Sequence, residues 1–298
     1  MNNTNKTRYY ILAIFTVFVW SSTFISTKVL LSYFSPVEIL VYRFFLAYLL
    51  MFIVYPHFHK PESFKSELKI MFAGISGGSI YFLAENFALH FSLASNVSLL
   101  VSTAPLITAL FAHFFIAEEK LSRKTITGAL VAFSGVILVI FNGSFILKLN
   151  PIGDFLALSS AVSWSIYTIT IRGLKTKYST YYITRKIFFY TVLTMIPVLF
   201  FSPLSLNFSP LLNWKVSLNL LFLTVFASCV AYVAWTKVIW ALGATKANTF
   251  IYFIPLLTLV LSAFFLSEPL TVYALGGALL IFSGVYVGSR SFKKEQSV

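Results

Sequence analysis

The chain has 298 residues, of which 58 % are hydrophobic and only 10 % charged, with a mean hydropathy of +0.86. Soluble domains carry about 25 % charged residues, so composition excludes a soluble globular protein and points to a polytopic membrane protein. The net charge of +13 would suggest nucleic acid in a soluble chain, but the bases lie in short loops between apolar runs, and no nucleic-acid partner is expected.

A helix crossing about 30 Å of hydrocarbon needs roughly 20 apolar residues. The first such run, 9–31, continues past signal-peptide length without an A-x-A cleavage site and reads as a span. Further runs follow at 36–55, 68–91, 95–117, 124–142, 152–172, 181–202, 216–240, 246–266 and 270–289, separated by short breaks rich in Pro, Gly, Asn, Lys or Glu. Unpaired backbone is costly in lipid, so all ten are expected to be helices. Cys229, the single cysteine, lies inside an apolar run, which leaves no intrachain disulfide to form.

Basic residues set the expected orientation. Lys6, Arg8, Lys60, Lys65, Lys69, Lys120, Arg123, Lys124, Arg172, Lys175, Lys177, Lys246, Arg290, Lys293 and Lys294 all fall on one side, whereas Lys148 and Lys215 fall on the other. This bias places both termini in the cytoplasm.

The chain also repeats itself. PLITALFAHFFIAEEKL from Pro105 returns as PLLTLVLSAFFLSEPL from Pro255, GALVAFSGV from Gly128 returns from Gly277 as GALLIFSGV, and VWSSTFISTKVL from Val19 is echoed by SWSIYTITIRGL from Ser163. Repeats of this length mark a duplicated architecture. Each copy holds five spans, an odd number, so the second copy starts on the opposite side of the membrane. The expected fold is all-α, with ten transmembrane helices in two inverted five-helix repeats, 1–145 and 146–298. Inverted repeats of this kind mark secondary transporters with a site near the midplane.

These segments, with Trp20, Lys28 and Arg43 and the paired Pro…Glu…Gly signatures, resemble the EamA family of the drug/metabolite transporter superfamily over essentially the whole chain. The resemblance implies two inverted halves, a central cavity and export of amino acids or other small metabolites. It does not name the substrate, since the family spans amino acids, sugars, nucleotides and organic cations. Arg43 has no partner in the second half: its equivalent falls at Ile187, with Lys186 one residue short.

With a rise of about 1.5 Å per residue, Trp20 and Trp164 fall near mid-bilayer, whereas tryptophan usually collects at the interfaces. The pair reads either as helix packing or as aromatic walls around a substrate. Pro105 and Pro255 are also central and interrupt their helices. Ser98 and Ser102 precede the first, and Asn248 and Tyr252 the second. Residues at i and i+4 share a face, so each helix offers a polar stripe for helix–helix hydrogen bonds or, in the reading adopted, for a cavity.

Ionisable residues inside spans are functional candidates. Arg43 and Glu85 lie at similar depth and read equally as a gate or a structural charge pair. Glu85 is also the obvious proton carrier. Lys237, expected to have only Lys186 and no acid at its depth, either snorkels to the cytoplasm or meets an anionic substrate group. The substrate-binding set is therefore Trp20, Glu85, Ser98, Ser102, Trp164, Lys237, Asn248 and Tyr252, with Arg43 and Glu85 as gate or charge pair. Glu118 and Glu268 are expected to hold fixed partners in neighbouring loops, and Gly135 and Gly284 to allow close helix packing. His57, His59, His90 and His113 form no ligand cluster, so neither metal nor cofactor is expected. Asn142 and Asn207 open short N-x-S sequons.

The expected function is secondary transport by alternating access of a small metabolite, an amino acid or related zwitterion, moved outward across the cytoplasmic membrane. A proton is one candidate coupling ion. A nucleotide-sugar or other organic-anion carrier is the alternative, but a diphosphate would want bases converging at mid-depth, and Lys28, Arg172 and Lys186 sit toward span ends. An intramembrane enzyme would need a nucleophile–base or metal constellation, which is not found. A channel would draw its symmetry from oligomers, whereas this chain contains its own two-fold and is expected to work as a monomer or weak dimer within the lipid bilayer.

Overall fold

The computed structural model describes residues 3–92, 94–141, 150–174, 176–266 and 272–294. Lys148, Lys175, Glu268, the Asn142 sequon and the boundary expected at 145/146 lie outside them. The regular structure of the described residues is all helical. Among the described residues six helices are long and apolar enough to cross a membrane, and Leu275–Gly288 is a shorter apolar helix.

In chain order the helices are α1 Asn3–Leu30, α2 Pro36–Val54, α3 64–91, α4 94–115, α5 Arg123–Phe141, α6 Pro151–Arg172, α7 Thr180–Leu199, α8 Trp214–Leu242, α9 244–266 and α10 Val272–Lys294. Local sequence sets several starts. Ser35 and Ser63 open α2 and α3 with capping boxes, and the side chains of Asn150, Ser179 and Asn213 cap α6, α7 and α8. Gly243, at φ 93°, occupies the left-handed region that favours glycine and turns the chain from α8 into α9.

Four of the described helices depart from regularity. α3 and α8 widen into π turns at Ile75–Ile80 and Leu223–Val230. α4 breaks at Ser102–Thr103, just before Pro105, and α9 tightens to a 3₁₀ turn at Thr249–Tyr252, just before Pro255. Both prolines lack the N–H a continuous helix would use there. Several boundaries differ from expectation: α1 begins at Asn3 rather than 9, α3 at Phe64 rather than 68, α7 ends at Leu199 rather than 202, and α10 ends at Lys294 rather than 289.

Packing joins the earlier helices to the later ones. α1 lies against α8 and α9, α6 against α3 and α4, α2 against α7 and α8, and α5 against α10. Small residues let the last pair touch backbone to backbone. A Cβ on Gly128 would lie 2.5 Å from Gly288 N, one on Gly135 2.6 Å from Gly277 O, and one on Gly284 2.3 Å from Ala132 N. Thr258 Oγ1 donates to Ser21 O between α9 and α1, and Thr108 Oγ1 to Ser165 Oγ between α4 and α6. The centre where these helices meet is aromatic.

Candidate functional site

The π turns receive side chains from other helices. A π turn takes an extra residue into the helix and weakens its regular backbone pairing, leaving carbonyls for other donors. Ser163 Oγ donates to Ser76 O at 2.7 Å, the Tyr232 hydroxyl to Gly77 O at 2.5 Å, and Trp20 Nε1 to Ala227 O at 3.1 Å. The sequence ISGGSI allows the approach. A Cβ on Gly77 would fall 2.3 Å from the Tyr167 ring, and one on Gly78 would fall 1.8 Å from Thr191 Oγ1.

Between the helices lies a cavity lined by Trp20, Thr23 and Phe24 of α1, Arg43 of α2, Tyr81, Phe82 and Glu85 of α3, Val101 and Ala104 of α4, Trp164 of α6, and Ile251 and Ile254 of α9. Its volume of about 30 Å³ is room for one or two water molecules. The two tryptophans meet edge to face at 5.1 Å, with Trp235 5.0 Å from Trp20 and Tyr81 5.1 Å from Trp164. Trp164 Nε1 donates to Asn248 Oδ1 at 3.1 Å, and Asn248 Nδ2 donates to Thr168 Oγ1 and Ala244 O.

One cation and one carboxyl group line this wall. Arg43 is buried, with its guanidinium 4.4 Å above the Phe82 ring and 5.2 Å from the Phe44 ring, and its Nε donates to Ser228 Oγ at 2.7 Å. Its Nη2 has no hydrogen-bond partner among the described residues. Glu85 is also buried and accepts the Tyr81 hydroxyl at 2.8 Å. Arg43 and Glu85 share the cavity without forming an ion pair, so of the two readings, gate or structural salt bridge, the salt bridge is not formed in this structure. Each charge instead has its own neutral support, Ser228 for one and Tyr81 for the other.

Of the residues expected to bind substrate, Trp20, Glu85 and Trp164 line the cavity, and Asn248 stands one hydrogen bond behind it. Four do not. Ser102 Oγ donates to Ser98 O within its own helix, and Ser98 is buried away from the lining. A hydroxyl that can satisfy itself on the preceding turn need not face a cavity. Tyr252 lines a separate cleft with Pro105, Gly128 and Gly284. Lys237 lies 5.0 Å from the Tyr181 ring, outside the cavity. The repeat positions that do face it are one residue earlier and two later, Val101 with Ile251 and Ala104 with Ile254.

Two further expectations change at the ends of the helices. Glu118 is exposed, and its neighbour Glu119 holds the partners: Oε1 accepts Arg172 Nε and Ala244 N, and Oε2 accepts Thr245 N, each at 2.8 Å. An acid does lie beside Lys186, since Glu67 in the first turn of α3 forms an ion pair with it and accepts the Tyr190 hydroxyl. Starting the third span at 68 had left that carboxylate out. Lys28 and Arg172, which end their helices, each donate to terminal carbonyls of another helix, Lys28 to Leu89 O and Ser92 O, and Arg172 to Trp240 O. Tyr81, Phe82, Thr23 and Phe24 were missed. Tyr81 precedes Glu85 by one helical turn, a signal that could have been read.

A family model described as the EamA-like transporter family matches residues 7–141 and 151–290. An uncharacterized transporter of Archaeoglobus fulgidus is 24 % identical over 288 residues, covering 95 % of this chain and 97 % of that one. Uncharacterized transporter YyaM of Bacillus subtilis is 28 % identical over 307 residues, covering 97 % of each. A probable amino-acid metabolite efflux pump of Salmonella typhimurium is 25 % identical over 298 residues, covering 96 % of each. One crystal structure shares the fold at a TM-score of 0.76 and 16 % identity, covering 98 % of this chain and 99 % of that chain. The chain belongs to the EamA-like transporter family, and is a multi-pass membrane transporter rather than an enzyme.

Proposed function

We propose that this family member exports a small zwitterion, an amino acid or a related metabolite, by alternating access about the aromatic cavity. The observation that carries the reading is the lining itself: Arg43 and Glu85 bring a base and an acid to one cavity with no ion pair between them. A zwitterion has a carboxylate for the unpartnered Arg43 Nη2 and an ammonium for Glu85, while Trp20, Trp164 and Tyr81 supply faces for its side chain. A nucleotide sugar would need a second base at the diphosphate, and among the described residues Arg43 is the only base in the lining. The efflux pump of Salmonella typhimurium supports the amino-acid class and the outward direction.

Ten spans in two inverted halves, 1–145 and 146–298, complete the proposal, with both termini cytoplasmic. Related positions support it: Trp20 and Trp164, Val101 and Ile251, and Ala104 and Ile254 line one cavity. The π turns in α3 and α8 begin 148 residues apart. The cavity as it stands admits only water, so the walls must part to take a substrate, and rocking of one half against the other would part them. Glu85 is the group offered for proton coupling, in a transporter proposed to act as a monomer or weak dimer.

Ligand-dependent thermal stabilisation of the purified protein tests the reading. Amino acids should stabilise it, and their decarboxylated amines and deaminated acids should do so far less. Arg43→Gln and Glu85→Gln should each weaken zwitterion binding about 10-fold or more, the scale of a hydrogen bond to a charged group. Both side chains face one cavity and one ligand, so the double variant should bind no better than the weaker single variant. Stabilisation by nucleotide sugars with none by amino acids would refute it, and so would a double variant that recovers the parent's affinity.

A further inference from the structure

A second and larger hollow lies on the far side of α9. It measures about 290 Å³ and runs between α1, α9 and α10, with Tyr10, Lys246, Phe250, Phe253, Phe282 and Tyr286 along its walls. We propose that this groove binds an anionic phospholipid, with the lipid phosphate on Lys246 Nζ and an acyl chain along Phe250, Phe253 and Phe282.

Lys246 carries the argument. It is half-buried, and its Nζ lies 5.0 Å from the Tyr10 ring centroid. No carboxylate lines the groove, and Lys246 forms no ion pair among the described residues. A ring face attracts a cation but leaves its charge uncancelled. Its place in the first turn of α9 runs against the helix dipole, so it is not there to steady that helix. The backbone donors of Ala244 and Thr245 in that turn are already taken by Glu119, which leaves the lysine as the anion-binding group.

The rest of the groove is mostly apolar, with Thr249 and the hydroxyls of Tyr10 and Tyr286 as its other polar groups. Phe282 and Tyr286 are each 57 % exposed on α10, facing where lipid chains lie. A cation at the mouth of an apolar channel matches a phosphate above a hydrocarbon chain, and a net anionic headgroup suits it better than one carrying its own ammonium. The lipid would also sit directly behind the transport cavity. Phe250 and Phe253 face the groove, while Ile251 and Ile254, the residues next to them on α9, line the cavity.

Native mass spectrometry of the full-length protein, titrated with phosphatidylglycerol or with phosphatidylcholine of the same chains, tests this without any transport measurement. Phosphatidylglycerol should bind the parent more tightly. Lys246→Gln should weaken it roughly five-fold, the worth of one base near an anionic surface, and Lys246→Arg should retain binding. Lys65→Gln, at an exposed base elsewhere, should change nothing, and Phe282→Ala should weaken both lipids. Equal binding of the two lipids by the parent, or equal losses in Lys246→Gln and Lys65→Gln, would overturn the assignment. So would competition by inorganic phosphate as strong as that of the lipid, because the apolar half of the groove would then contribute nothing.

Discussion

Replacing Glu119 asks what holds α9 against the rest of the molecule. Its carboxylate is 6 % exposed and accepts three donors at 2.8 Å: Arg172 Nε, Ala244 N and Thr245 N. The two backbone donors belong to the first turn of α9, and both residues are buried. In Glu119→Gln the amide oxygen keeps one of them, while the other faces an NH₂ group that cannot accept. A buried donor left unsatisfied costs about 1–3 kcal/mol. The Arg172 side chain is 29 % exposed and can turn to water, so losing the ion pair adds only about 0.5–1 kcal/mol. Glu119→Gln should therefore lose about 2–3 kcal/mol and Glu119→Ala, which strips both backbone donors, about 4 kcal/mol. Denaturant titration in micelles measures the difference, and Glu118→Gln is the internal control. Glu118 is exposed, and its replacement should stay within about 0.5 kcal/mol of the parent. Transport should fall in step with the loss at Glu119, since α9 carries Ile251 and Ile254 into the cavity. A Glu119→Gln protein as stable as the parent would refute the reasoning, and so would equal losses at 118 and 119.

Gly78→Ala places a Cβ 1.8 Å from Thr191 Oγ1 and should cost about 1–3 kcal/mol by overpacking. Gly276→Ala meets only Leu138 Cδ2 at 3.4 Å and should be neutral or stabilising in the same unfolding assay; equal losses would show that close packing at the π turn is unimportant. Trp20→Phe and Trp164→Phe should weaken substrate binding roughly five- to thirty-fold by titration, whereas Trp214→Phe, at an exposed site, should bind as the parent does. Trp164→Phe should also lose stability, about 1–3 kcal/mol, because buried Asn248 Oδ1 loses its donor. In a Cys229→Ser background, cysteines at Lys65 and Lys177 should resist an impermeant thiol reagent added outside and one at Lys215 should react, and labelling at 65 would reverse the proposed orientation.

Much of the centre was legible because lipid makes ionisable groups and mid-span tryptophans scarce. Tryptophan at mid-span is unusual enough to flag Trp20 and Trp164, and both line the cavity. Glu85 and Arg43 stood out because ionisable groups are scarce inside apolar runs, and both face the same space. The polar stripes on α4 and α9 misled for a physical reason. Side chains such as Ser102 can bond a carbonyl of their own helix, so polarity there does not report which face meets a cavity. Glu118 and Glu119 are likewise indistinguishable in sequence, and a matching spacing to Glu268 favoured the one that turns out to be exposed.

The sequence by itself determined the membrane class, the helical character and the family, because hydropathy and spacing act locally and lipid permits few backbone solutions. Its repeated phrases also named Trp20 and Trp164, which meet edge to face. Only the tertiary structure decided the rest: which rotation of α4 and α9 puts Val101 and Ile251 into the cavity, where α3 and α8 widen, and which carboxylate receives α9. Those choices depend on contacts between helices far apart in the chain, such as Tyr232 on Gly77 and Trp20 on Ala227. No local pattern carries them, because a buried donor accepts whichever carbonyl the packing brings within reach.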